Sequence, residues 1–177
     1  MIRPASAALL LAATASLCLP ARAQAPAAIG CGDPSIHFEV DTDRGLHPAP
    51  LAPGRALVFF VQDDSEVSGF HKPIVRIGLD GKWTGATHGD SYLFFYVDPG
   101  EHRLCTNWQD GSSFLRRGPS PSATLTFTAK PGVTYYFQLN NTFRGASRTA
   151  TTLAPVTPSN PEDYLNDYDF AFFHQLP

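Results

Sequence analysis

From Arg55 onward the chain breaks into short apolar stretches separated by turn-forming residues, and within the stretches the hydrophobic period is that of a strand. Ala123-Thr124-Leu125-Thr126-Phe127-Thr128-Ala129 alternates most regularly, with Leu125 and Phe127 on one face and threonines on the other. Ala56 to Val61 is almost continuously apolar, which predicts a strand buried on both faces. Ile74 to Leu79 and Lys82 to Thr87 flank Asp80-Gly81, a two-residue hairpin signal. Tyr92 to Val97 and His102 to Trp108 flank Asp98-Pro99-Gly100-Glu101, a tight turn in which Pro presets φ and Gly tolerates a positive one. Lys130-Pro131-Gly132 leads into Thr134 to Leu139, and Thr149 to Ala154 reads as a last strand. Gln62 to Lys72 and Gln109 to Ser122 are polar connections containing Gly and Pro.

Two regions flank this pattern. Ile36 to Val40 alternates briefly, and His47 to Gly54, with its prolines, reads as a linker. Near the other end, Ser159-Asn160-Pro161-Glu162 has the features of a helix start: a polar cap, Pro in the first turn and acids after it. That helix is expected to end near Tyr168, followed by an aromatic tail of Phe170, Phe172 and Phe173 that packs down or docks elsewhere. About eight short strands with one late helix predict an all-β fold, an antiparallel β-sandwich with a short C-terminal helix. It is expected over residues 55–177, with 24–54 as an extended N-terminal segment.

Residues 1–23 read as a cleavable export signal. Arg3 supplies a positive start, and Ala7 to Leu19 is an apolar run too short to span a bilayer. Pro20 breaks it, and Ala21-Arg22-Ala23 offers small residues at the positions a signal peptidase reads. Leu17 before Cys18 argues against lipid attachment there. Cleavage leaves two cysteines, Cys31 and Cys105. An oxidising compartment favours a disulfide between them, while two separate buried thiols are the alternative. The compartment expected is the periplasm or the exterior. The net charge of −3 and the lack of a basic run argue against nucleic acid as a partner, and no later apolar stretch is long enough to cross a membrane.

Several motifs together carry a resemblance: Gly54-Arg55-Ala56-Leu57-Val58-Phe59; Leu79-Asp80-Gly81-Lys82 with Gly85; Tyr92 to Cys105 around Val97-Asp98-Pro99-Gly100-Glu101-His102; and Lys130 to Phe137. Over roughly residues 54–140 the chain resembles an uncharacterised family of small bacterial envelope proteins and is similar to PEGA-type surface modules. The resemblance implies a β-sandwich in the cell envelope and no catalytic residues.

The candidate chemistry is sparse. Trp83, Trp108, Phe114, Arg116 and Arg117 combine aromatic faces and guanidinium groups of the kind that stack on sugars or peptides, although both indoles equally suit a core. The binding residues expected are therefore Trp83, Trp108, Arg116 and Arg117, and the partner an envelope protein or glycan. Asp63, Asp64 and Glu66 carry oxygen ligands suited to calcium but lack an EF-hand spacing, and a solvated loop is the simpler reading. His71, His88 and His102 sit in no metal-ligand motif, so neither a metal nor another cofactor is expected. Ser112, Ser113, Ser120 and Ser122 lack the nucleophile-elbow pattern. The functional expectation is an exported, non-catalytic binding or supporting domain. The alternative is a small secreted hydrolase using loop His and Asp residues, and a third reading has the aromatic tail pairing two copies.

Overall fold

The computed structural model describes residues 30–47, 49–50, 52–67, 72–109, 120–143 and 149–177. The fold is an all-β sandwich with one short helix. In chain order the elements are β1 (Phe38–Asp43), β2 (Ala56–Asp63), β3 (Ile74–Leu79), β4 (Lys82–His88), β5 (Ser91–Val97), β6 (Gly100–Trp108), β7 (Ser122–Ala129), β8 (Thr134–Phe143), β9 (Thr149–Val156), α1 (Pro161–Asn166) and β10 (Asp169–Gln175). One sheet has the order β1-β10-β5-β2-β8-β9 and the other β4-β3-β6-β7.

Ten strands replace the eight expected. The two additional ones, β1 and β10, pair with each other antiparallel from Phe38↔Gln175 to Asp43↔Phe170. The aromatic tail is thus itself a strand, and β1, within the stretch read as an extended N-terminal segment, is an edge of the larger sheet. The sandwich is also not wholly antiparallel. β2 runs parallel to β8, and β10 runs parallel to β5 over a short contact. The remaining pairings are antiparallel.

Strand parity builds the core. Ala56, Val58 and Phe60 of β2 point between the sheets and meet Val75, Ile77, Leu104, Phe137 and Leu139. Phe59 and Val61, the alternate residues, are buried on the other side, under Leu165 of α1 and beside Tyr92, Tyr136 and Tyr164. The helix therefore accounts for the continuous apolar run of β2, which is covered on both faces. Asn160 caps that helix by accepting from the Glu162 amide at 3.1 Å, and Pro161 stands in its first turn.

The turns follow their residues. Asp80 and Gly81 both take positive φ, 52° and 85°, as a two-residue hairpin requires. Gly85 of β4 leaves the space that the Phe173 ring fills; a Cβ there would stand 2.8 Å from it. Cys31 and Cys105 form a disulfide, with Cα atoms 5.6 Å apart and a sequence separation of 74. Closing a loop of that length stabilises by about 4 kcal/mol in chain-entropy terms. The crosslink lays the segment before β1 across the outer face of the four-stranded sheet. Gly78 permits the crossing, since a Cβ at that position would lie 2.3 Å from the Cys31 carbonyl oxygen.

Candidate functional site

The two tryptophans expected to form a binding surface lie apart and are engaged within the fold. Trp108 pairs with Val75 at one end of β3, and Trp83 pairs with Gly78 toward the other. Trp108 is 9% exposed and belongs to the core between the sheets. Its indole donates to Asn141 Oδ1 at 3.0 Å. Trp83 is half-buried on the outer face, against Gly32, and donates to the Asp33 carbonyl at 2.7 Å. The Arg76 guanidinium stacks 4.7 Å from its ring centroid. Arg76 is itself held by the Pro34 and Ile36 carbonyls, at 3.0 and 2.8 Å, and by Asn107 Oδ1 at 2.5 Å. Trp83 and Arg76 thus seat the disulfide-tied segment. Phe114, Arg116 and Arg117 lie outside the described residues, as do His71, Ser112 and Ser113.

Of the acidic residues expected in a solvated loop, Glu66 is exposed, but Asp63 and Asp64 are not free in solvent. Asp64 is 1% exposed and sits in a polar network at one end of the sandwich. Its oxygens accept from Asn141 Nδ2 and Gln62 Nε2, both at 2.7 Å, and its amide donates to Asp90 Oδ1 at 2.7 Å. Burial pushes the Asp64 carboxyl up, against the opposing pull of those amide donors. Asn141 joins the network to Trp108 and accepts from Thr151 at 2.8 Å, while Thr87 donates to Gln62 Oε1 at 2.6 Å. Lys72 pairs with Asp90, and His88 Nε2 lies 3.1 Å from the Lys72 carbonyl. Asp63 accepts from Gln138 Nε2 at 2.9 Å, and Tyr164 donates to Gln138 Oε1 at 3.0 Å. Burial, with Asp63 nearby, pushes the Tyr164 phenol up to about 12, so it is a donor at physiological pH. These groups satisfy one another, and the network is structural. Among the described residues no set of three or more His, Cys, Asp or Glu side chains is placed to hold a metal.

His102 bridges two turns. Its Nδ1 lies 2.7 Å from Asp80 Oδ2 and its Nε2 2.7 Å from the Asp98 carbonyl. Burial alone pulls the imidazole down, but the hydrogen bonds to Asp80 and Asp98 outweigh it and hold its pKa above the ordinary value.

Among the described residues, the surface most open to a partner is the corner formed by β1 and β10, which includes the aromatic tail expected to pack down, dock elsewhere or pair two copies. Phe172 is 46% exposed, and Leu46, Phe173 and Leu176 are each 39% exposed. On the outer face Asp41 lies directly opposite Phe172, and Asp43 opposite Phe170. His47 stacks on Phe170 with centroids 4.3 Å apart and meets Phe172 edge-on at 5.4 Å. The aromatic row continues through Phe94, 5.7 Å from Phe170, to Tyr96. The alternation of Glu39, Asp41 and Asp43 with Phe38 and Val40 is the sequence signal that marks this edge. No family model, curated protein or solved structure matches the chain.

Proposed function

We propose that this chain is an exported, non-catalytic β-sandwich that binds a protein partner in the cell envelope, through the β1–β10 corner. The observation that carries the reading is the exposure of the Phe172 ring, which forms one aromatic face with Phe170 and His47. An exposed ring continuous with its aromatic neighbours favours association. A signal-like leader, the Cys31–Cys105 crosslink and the turn-and-strand resemblance to PEGA-type modules support placement in the periplasm or outside the cell. No helix among the described residues is long and apolar enough to cross a membrane. A protein is favoured over a glycan because both indoles suited to sugar stacking are engaged in internal contacts.

The test uses residues 24–177, purified in the oxidised state and immobilised against soluble envelope proteins. Saturable binding is expected, and Phe172→Ser should reduce it with little change in the thermal unfolding midpoint. Equal binding by the two proteins would count against the reading, as would binding that competes only with glycans.

A further inference from the structure

We propose that the free edge of β1 is an acceptor for an extended, basic segment of the partner protein, which adds to the six-stranded sheet as a further strand. This rests on the binding reading above and names its site and ligand chemistry.

The argument begins with the direction of the backbone groups. The Leu176 amide donates to the His37 carbonyl at 2.9 Å, which makes His37 a hydrogen-bonded pair with Leu176. Pairing alternates along an antiparallel ladder, so Glu39, Asp41 and Asp43 turn their amides and carbonyls toward β10. Those of Phe38, Val40 and Thr42 point the other way. The Phe38 groups confirm the parity, because both are taken by one side chain: Gln109 Oε1 accepts from the Phe38 amide at 2.6 Å, and Gln109 Nε2 donates to its carbonyl at 2.7 Å. Gln109 thus occupies the place of a neighbouring strand at that end. Val40 and Thr42 have no such partner among the described residues. An edge of this kind is a template for strand addition.

The side chains select the occupant. Glu39, Asp41 and Asp43 are exposed at alternate positions on one face, roughly 7 Å apart. Glu39 is met by His174 at 3.0 Å and Asp43 by His47 at 3.4 Å, while Asp41 has no cationic partner among the described residues. Arg44, beyond the strand end, pairs with Asp169 at 3.6 Å. On the open edge these three positions fall in non-hydrogen-bonded pairs, where facing side chains approach most closely. A second copy of β1 would set carboxylate against carboxylate, so self-pairing is opposed. A strand with Lys or Arg at alternate positions would form opposite-charge pairs instead. β1 would lie between that strand and Phe172, so a basic side chain facing Asp41 would reach the ring only by extending its aliphatic stem across β1, about 10 Å between strand axes.

The experiment titrates the oxidised mature protein with a short end-blocked peptide alternating Lys and Val, and with its Glu-Val counterpart, read by amide chemical shifts. The Lys peptide should shift the Val40 and Thr42 amides, and its affinity should fall as salt is raised. The Glu peptide should not bind. Asp41→Asn should weaken binding by about two- to fivefold. Thr42→Pro removes an edge donor while leaving the β1–β10 ladder intact, and should weaken it by about tenfold or more. Two results would overturn the inference while leaving the binding reading standing. One is Lys-peptide binding unchanged in Thr42→Pro. The other is no peptide binding at all while an envelope protein still binds in a Phe172-dependent way. Loss of both kinds of binding would remove the inference and the broader reading together, and self-association through β1 would contradict the choice of occupant.

Discussion

Asn141 shows how much one side chain holds in this fold. Its amide donates to Asp64, and its oxygen accepts from both Trp108 and Thr151. Leucine in its place would keep the volume and leave an indole N–H, a hydroxyl and a buried carboxylate oxygen short of a partner. Asn141→Leu should therefore cost about 3 kcal/mol or more in denaturant unfolding; a change below about 0.5 kcal/mol would mean that the network contributes little. Gly78 is a second such position. A methyl group there meets the Cys31 carbonyl, which is backbone and cannot swing aside. Gly78→Ala should destabilise by about 1–3 kcal/mol, and the loss should shrink in reduced protein, where the crossing segment is no longer tied down. An equal loss in both redox states would contradict that reason. Neither role is visible in sequence. Asn141 reads as an ordinary strand-end amide, and Gly78 as an interruption of an apolar strand, until the crosslink passes over it.

At the scale of elements, the turns and their strands were the legible part. Asp80-Gly81 and the Pro-Gly turns specify their own geometry through local φ preferences, and the strands they join appear where the alternation places them. The pairing of β1 with β10 was not legible, because it joins residues far apart in sequence and nothing local records the partner. The parallel contact of β2 with β8 was hidden for the same reason. Composition reports residue type and not enclosure, so in the sequence the two indoles suit a binding surface and a core equally. His102 belongs to this scale, since it ties the β3–β4 turn to the β5–β6 turn. Its folded pKa is raised, so its contribution to stability is complete below about pH 6.5, the ordinary imidazole value, and is lost as pH rises through the folded value. Melting midpoints across that range should fall more steeply for the native chain than for His102→Gln. Parallel slopes would show that the bridge is energetically neutral.

At the scale of the whole molecule, the described residues form a disulfide-stapled sandwich with an exposed corner at β1 and β10. The disulfide fixes the segment leading into β1, Gln109 blocks one end of that strand's edge, and α1 covers the outer face of β2. The exposed Phe172 ring and the edge backbone groups of Val40 and Thr42, which have no partner among the described residues, lie at β10 and β1. The measurement that tests this account most directly is photo-crosslinking in the source cell, with a photoreactive residue at Asp43 beside the β1 edge and, separately, at exposed Thr126 on β7. A discrete protein adduct from Asp43, lost when Thr42→Pro is added and absent from Thr126, is the predicted result. No adduct at Asp43, or equal adducts at the two positions, would contradict it.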